Sequence, residues 1–253
     1  MRIEGSSALV TGAGSGLGEA TARMLASRGA IVHVMDLNAA AAARVADEIG
    51  GVAITGDVAS EADAERAVKT AGEADEGLRI LVNCAGIGPA ARVIGREGPM
   101  PLSDFERVIR VNLIGSFNML RLAAAHMSQL AECDDKARGA IINTASVAAT
   151  DGQIGQAAYA ASKGAIISMA LPAARELARF GIRVNTIAPG IFATPLLQSL
   201  PPEVQQSLAA AIPYPSRLGE PSEYADAVRF CIENQYLNAE VIRLDGAIRM
   251  QPK

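Results

Sequence analysis

The chain has 253 residues, half of them hydrophobic and a fifth charged, with a formal net charge of -4. That balance provides for a large buried core and excludes a disordered polyelectrolyte, and no run of Lys or Arg offers the footprint that a nucleic-acid backbone requires. Three widely spaced cysteines, Cys84, Cys133 and Cys231, make neither a CxxC pair nor a Cys/His cluster, so no metal site and no disulfide framework is expected, and a reducing, cytoplasmic setting is.

No apolar run of about 18 residues marks a membrane span, and Met1-Arg-Ile-Glu-Gly leads into a strand-like run without the pattern of a signal peptide. From there, short β-branched apolar runs alternate with longer helical patterns. Residues 7–11 read as a strand, followed by a glycine-rich turn and a helix over 16–27. Next come a strand at 30–36 and a helix at 39–49, with Asn38 as its cap and Gly50 as its stop. A strand at 52–56 leads to a helix at 61–73, with Ser60 as candidate cap, and then a strand at 79–83. Residues 88–101, rich in Gly and Pro, read as a surface loop. A long helix is expected over 104–130 with Ser103 as candidate cap, then a strand at 140–144. A helix over 157–180 carries Pro172, which should kink it. A strand at 183–187 precedes a proline-rich, apolar stretch that is too long for a turn and is expected to act as a lid over a site, at about 190–220. A helix at 222–233 and a strand at 240–244 close the chain. The alternation predicts a single α/β domain: a doubly wound parallel sheet of Rossmann type with helices on both faces.

The first strand leads into Thr11-Gly12-Ala13-Gly14-Ser15-Gly16-Leu17-Gly18 and then a helix. Gly12, Gly16 and Gly18 are spaced to let the backbone turn tightly against a pyrophosphate, with the helix N-terminus supplying N–H groups and a positive dipole end. Asp36 ends the second strand, 24 residues beyond Gly12. A carboxylate there accepts hydrogen bonds from ribose hydroxyls and repels a 2′-phosphate, and no arginine stands next to it, so NAD is expected over NADP. Asp57 and Val58 are placed to frame the adenine. In Asn83-Cys84-Ala85-Gly86 the small residues let the nicotinamide ribose lie against the backbone, with Cys84 a space-filler rather than a nucleophile.

Ser146 follows the fifth strand, Tyr159 lies thirteen residues later, and Lys163 four after that. Tyr159 and Lys163 share one helix face. A nearby ammonium, together with an oxidised nicotinamide, is expected to bring the phenol down from its usual value of about 10 so that it works as an acid/base. Ser146 would hold the substrate oxygen. Asn112, a polar amide in an apolar helix stripe, is expected to disrupt its helix and hold a water that relays protons toward Lys163. Arg92 and Arg96 are candidates to meet a phosphate-bearing substrate, or plain solvated loop charges. His33, His126, Cys133 and Cys231 read as structural.

These residues resemble the short-chain dehydrogenase/reductase family, from TGAGSGLG through NCAG, Asn112, Ser146 and YAASK to Ala188-Pro189-Gly190. The resemblance implies strand order 3-2-1-4-5-6-7, a homotetramer or homodimer, no metal, and transfer of the 4-pro-S hydride. IINTASVAATDGQIGQAAYAASKG, GIRVNTIAPGIFATPLLQSLP, PYPSRLGEPSEYA and NAEVIRLDGAIRM are similar to the group of that family that works on short-chain 3-hydroxyacyl-CoA, also known for type-10 17β-hydroxysteroid dehydrogenation. That likeness implies oxidation of 3-hydroxyacyl-CoA to 3-ketoacyl-CoA with NAD in a homotetramer, as in fatty-acid β-oxidation and branched-chain amino-acid degradation. It places Ser15, Leu17, Asp36, Asp57, Val58, Cys84, Tyr159, Lys163, Phe192 and Thr194 on the dinucleotide, with Pro189 and Gly190 beside them and Gln156 near the substrate. Ala239 and Leu244-Asp245-Gly246-Ala247 depart from the family's usual Gly and VDGG, and the loop at 91–101 departs as well, which bears on acyl-chain and CoA preference. The alternatives are a hydroxysteroid or other secondary-alcohol dehydrogenase, a 3-oxoacyl carrier protein reductase, or a non-catalytic NAD(H)-sensing protein.

Overall fold

A computed structural model describes residues 1–133, 136–198 and 201–252. Seven parallel strands form one sheet: β1 (Ser7–Thr11), β2 (Ile31–Asp36), β3 (Val52–Thr55), β4 (Leu78–Asn83), β5 (Gly139–Thr144), β6 (Ile182–Pro189) and β7 (Val241–Leu244), in the order 3-2-1-4-5-6-7. β1, β4, β5 and β6 are buried along their whole lengths, which explains why they read as unbroken apolar runs rather than alternating ones.

Helices cover both faces. α1 (Gly16–Ser27), α2 (Ala39–Ile49) and α9 (Pro221–Glu233) pack on one side, where Leu25, Val45, Val228 and Ile232 meet Val10, Val34 and Val82. α3 (Glu61–Gly72), α5 (Gly115–Met127) and α6 (Ala157–Leu177) cover the other, where Val68, Met119 and Met127 meet Leu9, Leu81 and Ile141. Parallel order with helical crossovers turns all the strand carboxyl ends toward one edge, where Gly12, Asp36, Cys84, Ser146 and Gly190 emerge.

Local chemistry sets most boundaries. Asn38 Oδ1 accepts from Ala41 N–H (3.1 Å) and Gly50 ends α2 in the left-handed conformation, while Ser60 Oγ accepts from Asp63 N–H (3.3 Å). Ser103 does not cap. The helix α4 (Leu102–Ile109) starts one residue before it, behind Pro101, whose fixed φ suits that position. The single helix expected over 104–130 is three pieces, because a π-helical turn at Arg110–Ile114 separates α4 from α5. The run Leu102–Met127 is long and apolar enough to cross a membrane, but half of its most apolar stretch is buried in this fold. α6 runs through Pro172 to Leu177 and ends in a 3₁₀ turn. The last helix begins at Pro221 under a reciprocal cap between Glu220 and Glu223.

The stretch at 88–101 is more ordered than a plain loop: Ile94–Gly95 and Gly98–Pro99 pair as a short antiparallel hairpin that carries Arg96, with Arg92 at its base, both exposed. The lid expected at 190–220 is an arm holding α7 (Pro195–Gln198) and α8 (Pro202–Ala210); its residues 199 and 200 lie outside the described residues, as do 134 and 135 beside Cys133.

Candidate active site

The glycine loop is shaped by what surrounds it. Gly12 has φ +62°, and a Cβ there would fall 2.7 Å from the Ala85 Cα, so the turn can press against the strand beside it only with glycine. A Cβ on Gly18 would collide with the Gly12 carbonyl oxygen, so α1 can start directly against the turn. Ser15 caps α1 in extended conformation without spending its hydroxyl on the helix, and the N–H groups of the first turn have no preceding carbonyls to bind. Thr194, from the base of the arm, lies 3.4 Å from where a Gly16 Cβ would be, so the expected contacts Gly16, Leu17 and Thr194 share one side of the cleft.

Asp36 is fixed at the rim. Its Oδ2 accepts from Gly14 N–H and its Oδ1 from Asn38 N–H, both at 2.9 Å. Gly14 is therefore a working part of the loop, which the Gly12/Gly16/Gly18 spacing does not reveal: a Cβ there would stand 2.9 Å from Asp36 Oδ2 and 2.8 Å from the Ala41 Cβ. An arginine does approach this corner, although none adjoins Asp36 in sequence. Arg44, from α2, donates to the Gly14 carbonyl (3.0 Å), but Glu19 holds it at 2.7 Å and Glu48 at 3.3 Å. Those carboxylates raise the Arg44 pKa, Glu19 foremost, so its charge is matched within the protein. The backbone cradle that side chains would fill, with a fixed carboxylate beyond it, fits a dinucleotide.

The remaining expected cofactor residues divide by the direction of their side chains. Val58 is buried against Gly115, and Asp57 Oδ1 accepts from Ala59 N–H (2.9 Å), which stiffens the turn after β3. Ala85 N–H donates to Thr11 Oγ1 (3.2 Å), joining the ends of β1 and β4. Asn83 turns inward: its Nδ2 donates to Asn143 Oδ1 (2.9 Å) and the Ser116 carbonyl (3.3 Å), so its side chain braces the sheet and only its backbone stands at the edge. Cys84 is partly buried beside Tyr224 Oη (3.7 Å) and Thr144 Oγ1 (3.6 Å), and burial pushes its thiol up, which fits a filler and not a nucleophile. Phe192 stands edge-on to Tyr224, ring centroids 6.4 Å apart; Tyr224 is wholly buried and was not foreseen. Pro189 ends β6, and Gly190 N–H donates to the Leu244 carbonyl (2.9 Å).

Ser146 follows β5 directly; its Oγ accepts from Ala148 N–H (3.1 Å) and starts a single 3₁₀ turn. Tyr159 sits in the first turn of α6, its ring edge 3.4 Å from where a Gly88 Cβ would lie, so the loop after β4 passes close over it. Lys163, 4% exposed, donates to the Thr144 carbonyl at 2.7 Å and lies 5.8 Å from the centroid of the Tyr159 ring. Ser146, Tyr159 and Lys163 thus meet at the strand ends. Burial draws the Lys163 ammonium down to about 8. Burial also pushes Tyr159 upward, against a smaller downward pull from the Ser146 hydroxyl. The expected lowering requires an oxidised nicotinamide as well as the ammonium; among the protein's own groups, with Lys163 over the ring, burial dominates.

Asn112 is central to the π-turn, as its expected disruption of the helix requires. Its amide clamps the backbone of Ile87, accepting from Ile87 N–H (2.8 Å) and donating to the Ile87 carbonyl (2.9 Å), and it also donates to Ser162 Oγ (3.0 Å). Ser162 in turn donates to the Tyr159 carbonyl (2.7 Å). The side chain expected to hold a water is thus engaged with protein, and it ties the loop over Tyr159 to the helix that carries it. Gln156 precedes α6, and its Oε1 accepts from Gln153 N–H (3.0 Å).

A family model described as short chain dehydrogenase matches residues 6–205. The chain is 51% identical to the 3-hydroxyacyl-CoA dehydrogenase type-2 of Bos taurus, over 99% of this chain and 97% of that one. It is 36% identical to the (3R)-3-hydroxyacyl-CoA dehydrogenase of Homo sapiens, over 98% and 97% of the two chains. The crystal structure of 3-hydroxyacyl-CoA dehydrogenase type-2 from Mycobacterium avium superposes with a TM-score of 0.95 at 43% identity, covering 98% of each chain.

Proposed function

The chain belongs to the short-chain dehydrogenase family, and from that premise we propose that it catalyses the reversible, NAD-dependent oxidation of 3-hydroxyacyl-CoA to 3-ketoacyl-CoA. The observation that carries the chemistry is the meeting of Ser146, Tyr159 and Lys163 beside the glycine cradle. The acyl-CoA substrate is supported by full-length identity of 51% to a relative with that name. NAD over NADP is supported by Asp36, whose carboxylate is fixed at the ribose end of the cradle, and by Arg44 being held by Glu19 and Glu48.

Gly12, Ser15, Gly16 and Gly18 would hold the pyrophosphate, Asp36 the adenosine ribose, and Cys84, Phe192 and Thr194 the nicotinamide end; bound there, NAD supplies the hydride acceptor. Ser146 Oγ donates to the substrate oxygen and fixes it. Tyr159 removes the hydroxyl proton in oxidation and returns it in reduction. Because burial favours the neutral phenol, deprotonation needs positive charge at the site, and Lys163 contributes it. Asn112 and Ser162 keep Tyr159 in register with the loop at Ile87 and Gly88. Proton exchange between Lys163 and solvent through a water near Asn112 belongs to the same proposal.

The enzyme is further proposed to assemble as a homotetramer in the cytoplasm. Apolar residues on the outer face of the α4–α6 layer support assembly, among them Leu102 (71% exposed), Ile114 (50%) and Phe117 (49%); a monomeric mass in solution would contradict it. The functional test is NADH oxidation followed at 340 nm with acetoacetyl-CoA, run in parallel with NADPH, a 3-oxosteroid and an acetoacetyl carrier protein. Turnover with NADH and acetoacetyl-CoA, well above the other pairings, supports the proposal. A working steroid or carrier-protein substrate with an inert thioester of CoA keeps the chemistry and discards the substrate.

A further inference from the structure

Away from the cofactor cleft, the guanidinium of Arg243 on β7 joins its own turn to a segment more than ninety residues earlier in the chain. Toward the connector between Ser146 and Tyr159 it donates to Thr150 Oγ1 (3.0 Å) and to both oxygens of Asp151, one at 3.3 Å and the other closer. Toward its own turn it donates from Nε to Asp245 Oδ2, and from Nη2 to the Ile248 carbonyl (2.9 Å). The three side chains are well enclosed: Arg243 is 27% exposed, Asp151 14% and Asp245 8%. Arg249 adds a weaker contact to Asp245 (3.3 Å), and Ala247 N–H donates to Asp245 Oδ1 (2.9 Å).

Both ends of the arm at 190–220 rest on this same turn. At the near end, Gly190 is pressed so close that a Cβ would lie 2.7 Å from the Asp245 Cβ. At the far end, Tyr214 N–H donates to the Gly246 carbonyl (3.3 Å), and Ile212 lies 2.5 Å from where a Gly246 Cβ would be. Between arm and turn is a cleft of about 110 Å³ lined by Phe192, Ile212 and Leu244. The connector is held a second time by the C-terminal tail, through Gln153 Nε2 to the Gln251 carbonyl (2.9 Å) and Ile154 N–H to the Pro252 carbonyl (3.0 Å).

We propose that Arg243 is a positioning residue that couples the seating of the 190–220 arm to the geometry of the Ser146–Tyr159 pair, with Asp151 and Asp245 as its two handles. The proposal rests on the catalytic reading of Ser146 and Tyr159 given above. Those two groups must bear on one substrate oxygen, and the connector between them is anchored from outside at two places, by Arg243 at Thr150 and Asp151 and by the C-terminal tail at Gln153 and Ile154. Arginine suits the task because its planar fork reaches two carboxylates and a carbonyl at once, which a lysine cannot do.

The test uses the full-length enzyme with Arg243→Met, Arg243→Lys, Asp151→Asn and the Arg243→Met/Asp151→Asn double variant. Three things are read: kcat with acetoacetyl-CoA, the dissociation constant for NADH, and the rate of tryptic cleavage after Arg217, the one basic residue of the arm. Misplacement on the scale of an ångström lowers kcat roughly tenfold to a hundredfold in Arg243→Met, with NADH affinity little changed and Arg243→Lys intermediate. Because cleavage follows the open population, Arg243→Met raises it by about fivefold. The decisive variant is Asp151→Asn, which alters only the connector side and is nonetheless expected to speed cleavage on the arm, while the double variant is no worse than Arg243→Met alone. Wild-type cleavage in Asp151→Asn, or additive losses of kcat, overturns the coupling. If Arg243→Met does not fold, Asp151→Asn against wild type still decides the matter by cleavage. That readout needs no substrate, so an inactive wild-type enzyme would refute the proposed reaction and leave this test standing.

Discussion

Two buried cations stand at opposite ends of the sheet and do opposite work. Arg183, at the amino end of β6, donates to the carbonyls of Cys231 (2.6 Å), Ile232 (2.6 Å) and Leu237 (2.9 Å), closing the end of α9 and the turn beyond it. Lys163, at the carboxyl end of β5, brings three donors and among the described residues makes one hydrogen bond, to the Thr144 carbonyl. Burial lowers the pKa of both. What separates them is unused bonding capacity. A buried cation whose donors are spent on carbonyls is a strut, whereas one with donors to spare, beside a phenol and a cleft, is equipped for a ligand. The amino edge repeats the first pattern: Arg79 donates to the carbonyls of Glu76 (3.1 Å) and Ala131 (2.8 Å), and His126 Nε2 accepts from Leu78 N–H (3.2 Å).

Mutation should split the two cations cleanly. Lys163→Met is expected to lower kcat by roughly 10²–10³-fold, the scale of a lost acid/base contribution, with the melting temperature unchanged or raised, because a poorly paired buried charge is removed. Arg183→Met is expected to cost about 3 kcal/mol of stability by orphaning buried carbonyls, with kcat per folded molecule unchanged; denaturant titration beside steady-state kinetics checks both. If Arg183→Met were to slow turnover in the folded enzyme, the division between the two edges would fail.

Smaller effects sharpen the same contrast. Asp36→Ala removes the repulsion toward a 2′-phosphate and the acceptor for Gly14 N–H; the preference for NADH over NADPH, measured as the ratio of kcat/KM, is expected to fall by roughly tenfold, about 1.4 kcal/mol. At the amino edge, burial first and the charge of Arg79 second hold the His126 pKa below its ordinary 6.5. The fold therefore favours neutral His126: its contribution is complete above pH 6.5 and declines as pH falls below it. His126→Gln keeps an acceptor for Leu78 N–H without the charge, and is expected to flatten the fall of stability between pH 6.5 and 5, read by thermal melts.

Much of this was legible because it is local. The β-branched runs locate all seven strands to within a residue or two, and the strand order follows from the family resemblance; Gly12, Asp36, Ser146, Tyr159 and Lys163 lie at strand ends or one helical turn apart. What was not legible depends on partners distant in sequence. The π-turn exists where Asn112 clamps Ile87, 25 residues earlier, and no helical periodicity registers that bond. Arg44 reaches the cofactor corner because α2 packs beside α1, and Glu19, which holds it, is 25 residues away. Glycine spacing does not single out Gly14, because only the packing of Asp36 and Ala41 shows what a Cβ would strike. The upward pull on Tyr159 is a desolvation effect, and burial of a single side chain cannot be read from a YxxxK spacing.

The most direct test of the account is the path of the hydride. NADH carrying deuterium at the pro-S position of C4 is incubated with wild-type enzyme and acetoacetyl-CoA, and the product is analysed by mass spectrometry. The account predicts deuterium on C3 of 3-hydroxybutyryl-CoA, and none when the pro-R position carries the label. Product without deuterium from either form, or no reduction of the thioester while NADH binds, would contradict it.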